Sequence, residues 1–371
     1  MKSAWKVGKI AGIEFRIDSS WVVIFALFTW TLAANYFPRQ HPGWPAHLYW
    51  GLGLLTSLLV FASVLFHELA HSLVARRNGE EVRSITLFIL GGVAQISDEP
   101  KEPLKELGMA LAGPLSSFLL AAFFLAVSLA LAGRYEPFHA AAVYLALINL
   151  ALGVFNLLPG FPMDGGRVLR SIIWKATGDI RKATRVASGV GQALSFLLIV
   201  IGVMRFFQGD FGGLWLVLIG WFLHNASVRG YDQVMIRTAL EGLRARDLMS
   251  ADFQTISPDS TVQSLVDDHI LKKRERVFIV AEAGELRGIV CLEDVKKTPR
   301  ERWTSLRVRD IMTPKERLES VALEADGSSV LERLVSRDVH QLPVVEAGKV
   351  VGIICRNDLL KVLQLRSELG V

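Results

Sequence analysis

Phe66-His67-Glu68-Leu69-Ala70-His71-Ser72 lies within an apolar run that extends from Trp50 to Val74. A run of that length is about what a helix needs to cross a bilayer. Ionisable side chains at such depth cost about 2.5–3.5 kcal/mol each on insertion scales, so they normally mark a functional site. Helical positions i and i+4 share a face. His67 and His71 can therefore hold one zinc ion, with Glu68 beside them as a general base. The motif and its surroundings predict a metal-hydrolase centre inside a polytopic α-helical membrane protein.

Composition agrees with that reading. The chain has 371 residues, room for two or three domains, and 51% of them are hydrophobic. Mean hydropathy is +0.37, too apolar for a soluble protein of this size. The excess is confined to residues 19–228, whereas 229–371 read as soluble sequence. The opening Met-Lys-Ser-Ala-Trp-Lys shows no signal-peptide cleavage pattern. Cys291 and Cys355 both lie in the soluble part, which reads as an intracellular module with reduced thiols.

Six apolar segments are expected to span the membrane: 19–37, 50–75, 104–132, 139–158, 188–207 and 212–228. With both ends on one side, that side receives Lys2, Lys6, Lys9, Arg16, Arg76, Arg77, Arg83, Lys101 and Lys105, and the basic stretch 167–185. The other side receives Arg39, Arg134 and Arg205. This asymmetry predicts a multi-pass protein of the cell membrane with both termini in the cytoplasm. It also explains the net charge of +5 without a nucleic-acid partner. His67 lies nine residues before Arg76, about 13 Å inside the cytoplasmic face, so water needs a polar path from that side. The basic stretch 167–185 reads as a solvated topology loop, and His224 as an interfacial residue rather than a ligand. Ala110–Ser117 and Ala187–Ser195, rich in small residues, read first as close-packing surfaces.

Between the second and third spans, Val82–Leu90 is rich in β-branched and aromatic residues and ends at Gly91-Gly92. Val93–Ser97 can return antiparallel to form a membrane-associated hairpin, and Gly12–Ile17 can add a strand. Such strands must pair with each other or with something bound, because lipid satisfies no backbone group.

A catalytic zinc site usually has three protein ligands and water. The best third candidate is Asp164, in Asn156-Leu157-Leu158-Pro159-Gly160-Phe161-Pro162-Met163-Asp164-Gly165-Gly166 at the cytoplasmic end of the fourth span. Its prolines and glycines break the helix, which frees the backbone to carry a carboxylate inward. Asn156, on the same break, can donate to the oxyanion of a tetrahedral intermediate.

These two motifs resemble those of the site-2 proteases, intramembrane zinc metalloproteases, over roughly residues 1–230. The resemblance implies a six-span core that cleaves membrane-spanning or membrane-proximal segments of other membrane proteins, with the lipid bilayer as its medium. It implies one Zn2+ per chain held by His67, His71 and Asp164, with Glu68 and Asn156 catalytic. One departure is Ser117, which stands where many members carry Asn. A helical peptide bond is enclosed and hydrogen-bonded, so a substrate must be extended locally; the 82–96 hairpin could hold it by edge pairing.

After a polar connection the chain repeats itself. Arg246-Asp247-Leu248-Met249 recurs as Arg309-Asp310-Ile311-Met312, and Gly288-Ile289-Val290-Cys291 as Gly352-Ile353-Ile354-Cys355. Each copy alternates strand-like runs (277–281, 342–345) with helical patterns (262–272, 329–337), a duplicated α/β unit. The pattern resembles a tandem pair of CBS domains. Paired CBS domains often bind ATP, ADP or AMP, which would place Asp294 and Asp358 at the ribose, and they commonly associate as homodimers. Cys291 and Cys355 stand where a phosphate-binding hydroxyl is usual, and thiols are weak donors. The expected domains are 1–228 for the protease, 229–244 for a linker, and 245–371 for the CBS pair (about 245–300 and 308–365). Two other readings remain open: a non-proteolytic, CBS-gated channel or transporter regulator, and a zinc hydrolase of small lipids or amides.

Overall fold

The computed structural model describes residues 4–89, 91–96, 100, 102–273, 276–282, 285–336, 339, 341–356, 359, 361–362 and 365–366. The chain divides into two units, residues 1–234 and 235–371.

The first unit opens with two strands, β1 (Ala4–Ile10) and β2 (Ile13–Asp18), joined by a two-residue turn. Ala11 and Gly12 there both have positive φ (49° and 81°), the twist that a tight hairpin needs. The Gly12–Ile17 expectation recovers β2, while β1 is an addition: Trp5-Lys6-Val7 alternates as a strand does. Lys6 and Arg16 both bond Glu14 (2.6 and 2.8 Å) and hold its carboxyl well below the usual carboxylate range.

Asp18 caps the next helix by accepting from the Ser20 N–H at 3.0 Å. That helix is α1 (Ser19–Thr31), which passes through a π-helical turn (Leu32–Tyr36) into α2 (Phe37–Gln40). There follow α3 (Ala46–Arg77), strands β3 (Val82–Phe88) and β4 (Gly91–Ile96), α4 (Pro103–Leu131), α5 (Glu136–Asn156), α6 (Asp164–Thr177), α7 (Ile180–Phe207) and α8 (Gly212–Leu240). Among the described residues, five segments are long and apolar enough to cross a membrane: Ser19–Gln40, α3, α4, α5 and α7. The sixth expected span, 212–228, is the first part of α8, which is not among the five. The first part of the expected linker, 229–240, is the helical continuation of α8.

Strands β1 to β4 form one sheet in chain order. The expected hairpin is β3 against β4, with Ile85 opposite Ala94 and Leu87 opposite Gly92. β2 joins β3 in parallel. Ile13, Val82 and Ile85 are buried together with Ala75 of α3 and Met109 of α4, so the sheet is seated on the helices that carry the motif. At its turn, Arg76 of α3 bonds the Ala11 carbonyl.

The stretch 167–185, expected as a solvated loop, is instead mostly helix: α6, closed by Gly178 in the left-handed region (φ 71°), then the start of α7, capped by Asp179. The basic residues read as a topology signal are partly buried here because Arg170 meets a carboxylate, Glu106, from another helix.

The second unit contains two sheets. One has the order β5 (Thr255–Ile256), β6 (Val277–Glu282), β7 (Glu285–Cys291), β8 (Thr313–Pro314); the other has β11 (Lys349–Cys355), β10 (Gln341–Glu346), β9 (Val321–Ala322). The helical patterns appear as 262–273, with a π-helical middle, and Gly327–Ser336. Each sheet has its own core: Val262, Phe278, Val280 and Val290 in one, and Val330, Leu334, Leu342 and Ile354 in the other. The openers of the repeats are exchanged. Met249-Ser250, from the first repeat, meets the second: Ser250 pairs with Ile353, and Met249 lies against Gly352. Thr313-Pro314, from the second repeat, pairs with Ile289 and Gly288 of the first, and Met312 lies against Gly288.

Candidate functional site

Three helices bring the first-unit candidates together. His67 and His71 lie one turn apart on the buried face of α3, 4% and 6% exposed. Asp164 is the first residue of α6, after the Pro/Gly break that follows α5. Its Oδ2 lies 3.1 Å from each histidine Nε2, and the two Nε2 atoms are 3.2 Å apart. Ligands about 2.0–2.1 Å from a tetrahedral zinc are about 3.3 Å from one another, so the donor set fits that ion. Among the described residues, these three form the cluster able to hold a metal.

Helix α4 fixes the imidazoles. The Met109 carbonyl accepts from His71 Nδ1 at 2.7 Å; a carbonyl only accepts, so Nδ1 carries the hydrogen and Nε2 keeps its lone pair for a ligand bond. Ser117, fully buried, sits 2.9 Å from His67 Nδ1 and can do the same for that ring. Ser117 therefore has a place beside a histidine, where the sequence showed a departure from the usual Asn. Gly113 faces both rings: a Cβ there would lie 2.2 Å from His71 Nε2 and 2.5 Å from His67 Nε2. The stretch 110–117, read as packing surface, is thus also the wall of the site.

Glu68 faces strand β4. Its carboxylate accepts from the Ala94 backbone N–H, and a Cβ on Gly92 would lie 2.5 Å from its Cγ. A cavity of about 420 Å³ joins His67, Glu68, His71 and Asp164 to Gly92, Asn156 and Arg167. Asn156 donates from Nδ2 to the Leu152 carbonyl at 3.0 Å, which leaves the second N–H of its amide for another acceptor. Arg167, Gly92, Gly113 and the orienting role of Ser117 escaped the sequence reading. His224 lies outside the metal-capable cluster, with Nδ1 3.4 Å from Ser195 Oγ.

The ribose candidates belong to the second unit. Asp294 Oδ2 accepts from both the N–H and the Sγ of Cys291, at 2.9 Å each, and so caps the helix Leu292–Lys296. Burial pushes the Cys291 thiol up, and the bond to Asp294 adds to that shift. Cys291 and Cys355 are not joined in a disulfide. Asp358 lies outside the described residues.

A bundle of membrane-type helices around a buried His/His/Asp cluster, with a carboxylate alongside, defines a membrane metallohydrolase. Residues 55–142 and 134–200 match peptidase family M50, and residues 245–301 and 308–365 match the CBS domain. The chain is 35% identical over 370 residues to Rip3 of Mycobacterium tuberculosis, covering 98% of this chain and 94% of that one. It is 32% identical over 315 residues to zinc metalloprotease MJ0392 of Methanocaldococcus jannaschii (84% and 86%). A solved site-2 protease from the same archaeon matches 61% of this chain and 94% of its own length, with 29% identity and a TM-score of 0.43. The chain belongs to peptidase family M50, the zinc metalloproteases of site-2 protease type, and carries a tandem CBS pair. It is a multi-pass membrane protein.

Proposed function

We propose that this protease hydrolyses peptide bonds in or near the membrane-spanning segments of other membrane proteins, with its centre open to the cytoplasm and both termini on that side. The observation that carries the reading is the cavity in which the His67/His71/Asp164 cluster, Glu68 and Asn156 face the strand β4. His67, His71 and Asp164 hold Zn2+, which when bound supplies Lewis acidity to water and to the scissile carbonyl. Glu68 takes the proton of the attacking water and passes it to the leaving amine. The free N–H of Asn156 stabilises the carbonyl oxygen as charge develops there.

β4 is the last strand of its sheet, and an extended segment could pair along its outer edge beside the Ala94 N–H that Glu68 already takes. Gly91, Gly92 and Ala94 of that strand line the cavity, which supports a polypeptide substrate paired along the edge over a small lipid or a conducted ion.

The central test is zinc analysis of purified protein together with cleavage of a co-expressed library of single-span membrane proteins. Wild type is expected to process some of them, and Glu68→Gln to keep stoichiometric zinc and process none. Equal processing by both forms would sink the assignment.

Control by adenine nucleotide belongs to the same proposal and has its own measurement. Because Asp294 Oδ2 already caps a helix, Oδ1 is the atom left to meet a ribose. ATP, ADP and AMP are titrated into the full-length protein. Saturable heat that is lost in Asp294→Asn supports control, and no heat at millimolar ligand removes it. A homodimer through the CBS pair is read from the protein's mass in detergent.

A further inference from the structure

Glu106, Met109, Gly113 and Ser117 are spaced by three or four residues and share one face of α4. The last three shape the histidine pair, as described above. Glu106 touches something else. It is fully buried, and its Oε1 accepts from Arg170 Nε at 2.7 Å and from Arg170 Nη2. Arg167 Nε lies 3.7 Å from the same oxygen. Arg170 is 3% exposed and places its guanidinium 5.0 Å over the Phe161 ring. Both arginines belong to α6, the helix that begins with Asp164.

Burying such a pair costs several kcal/mol per ion in desolvation, and well-packed apolar residues would often hold two helices at least as well. The pair offers what an apolar contact does not, a fixed rotation and register, because a bidentate guanidinium accepts one orientation of its carboxylate. The start of α6 is equally constrained. A Cβ on Gly165 would fall 2.3 Å from the Leu157 carbonyl oxygen, and one on Gly166 would fall 2.3 Å from the Gly160 carbonyl carbon. Contact at the first turn and an ion pair two turns on leave the helix little freedom to rotate.

We propose that Glu106 and Arg170 are positioning residues for Asp164: the buried pair locks α6 against α4, so that the carboxylate meets both imidazoles which α4 itself orients. The inference rests on Asp164 being a zinc ligand. Helix α4 then places all three ligands, two directly through Met109 and Ser117 and the third through Glu106.

The test measures zinc affinity by chelator competition, and the melting temperature of the metal-free protein, on full-length Glu106→Gln, Arg170→Lys and Asp164→Asn. Glu106→Gln keeps the shape and removes the charge, and is expected to weaken zinc binding about 10–100-fold. Arg170→Lys keeps the charge but loses the fork, and is expected to fall between that variant and wild type. A lowered melting temperature with zinc affinity within about twofold of wild type in both variants would show a merely structural pair and overturn the proposal. If Glu106→Gln fails to fold, Arg170→Lys decides alone: weakened zinc binding supports the proposal and unchanged binding overturns it. Asp164→Asn separates the two failures. Unchanged zinc affinity there overturns the ligand assignment, whereas weakened affinity there with both pair variants unchanged overturns the positioning role only.

Discussion

Gly113→Ala is expected to give a folded protein that no longer retains zinc. The added methyl would lie 2.2 Å from His71 Nε2 and 2.5 Å from His67 Nε2, far inside van der Waals contact. Neither ring can retreat, because each is tied on its other nitrogen, His71 to the Met109 carbonyl and His67 to Ser117. The helix itself has no reason to suffer, since alanine is the better helix former by about 1 kcal/mol. Gly108 is the matched control. It lies in the same helix, with nothing within 4 Å of its would-be Cβ, so Gly108→Ala should retain one zinc per chain. Elemental analysis of both purified variants checks this, and stoichiometric zinc in Gly113→Ala would refute the geometry described for the site.

Gly92→Ala is expected to do the reverse, keeping zinc and losing turnover. Its Cβ would meet the Cγ of Glu68 at 2.5 Å and the Cδ2 of Leu87 at 3.4 Å, so its nearest neighbours belong to Glu68 and Leu87 rather than to His67, His71 or Asp164. The backbone of Gly92 is outside the left-handed region, so the substitution adds no strain of its own. If Glu68 is the general base proposed above, displacing it gives up about 10²–10⁴-fold in rate. Combining Gly92→Ala with Glu68→Gln should cost little beyond Glu68→Gln alone, because both act on the same proton transfer. Cleavage rates and zinc content of the three variants are the measurement. A fall within about twofold for Gly92→Ala would mean that Glu68 moves freely, and that strand β4 does not hold it.

The two glycines also show what the sequence could and could not convey. His67, Glu68 and His71 are legible because they lie on one helix, where spacing alone determines which side chains are neighbours. Asp164 is legible because the prolines and glycines before it announce a helix break inside an apolar region. Gly113, Ser117 and Gly92 act across elements, at contacts between helices or between a helix and a sheet. No local period records such contacts. The same reason accounts for Arg170. Basic residues after a span read as a solvated loop, and only the packing of α6 on α4 reveals that Glu106, far away in sequence, takes one of them into the interior. Strand β1 was missed for a different cause: its alternation is short and is interrupted by a bulge between Lys6 and Gly8. In the second unit the repeat was plain from Arg246-Asp247-Leu248-Met249 and its copy, but the exchange of openers was not, since a duplicated motif reads the same whichever copy it packs against.

That exchange has a bearing on the order in which the chain is made. Residues 255–314 form a continuous body, with Val308, Leu306 and Met312 closing the core begun by Ile256 and Val262. The other body joins Leu240, Ala245 and Leu248 to Val321, Val330, Leu342 and Ile354, so it is interrupted by the first. On the ribosome the inner body can close as soon as Pro314 is out. The segment 239–250 must wait, its apolar side chains uncovered, until the strands of 321–355 have been synthesised, a matter of seconds at about 5–20 residues per second. During that interval the two parts of its host lie on either side of the continuous body in sequence, and they meet only when 321–355 is available to bond and bury 239–250.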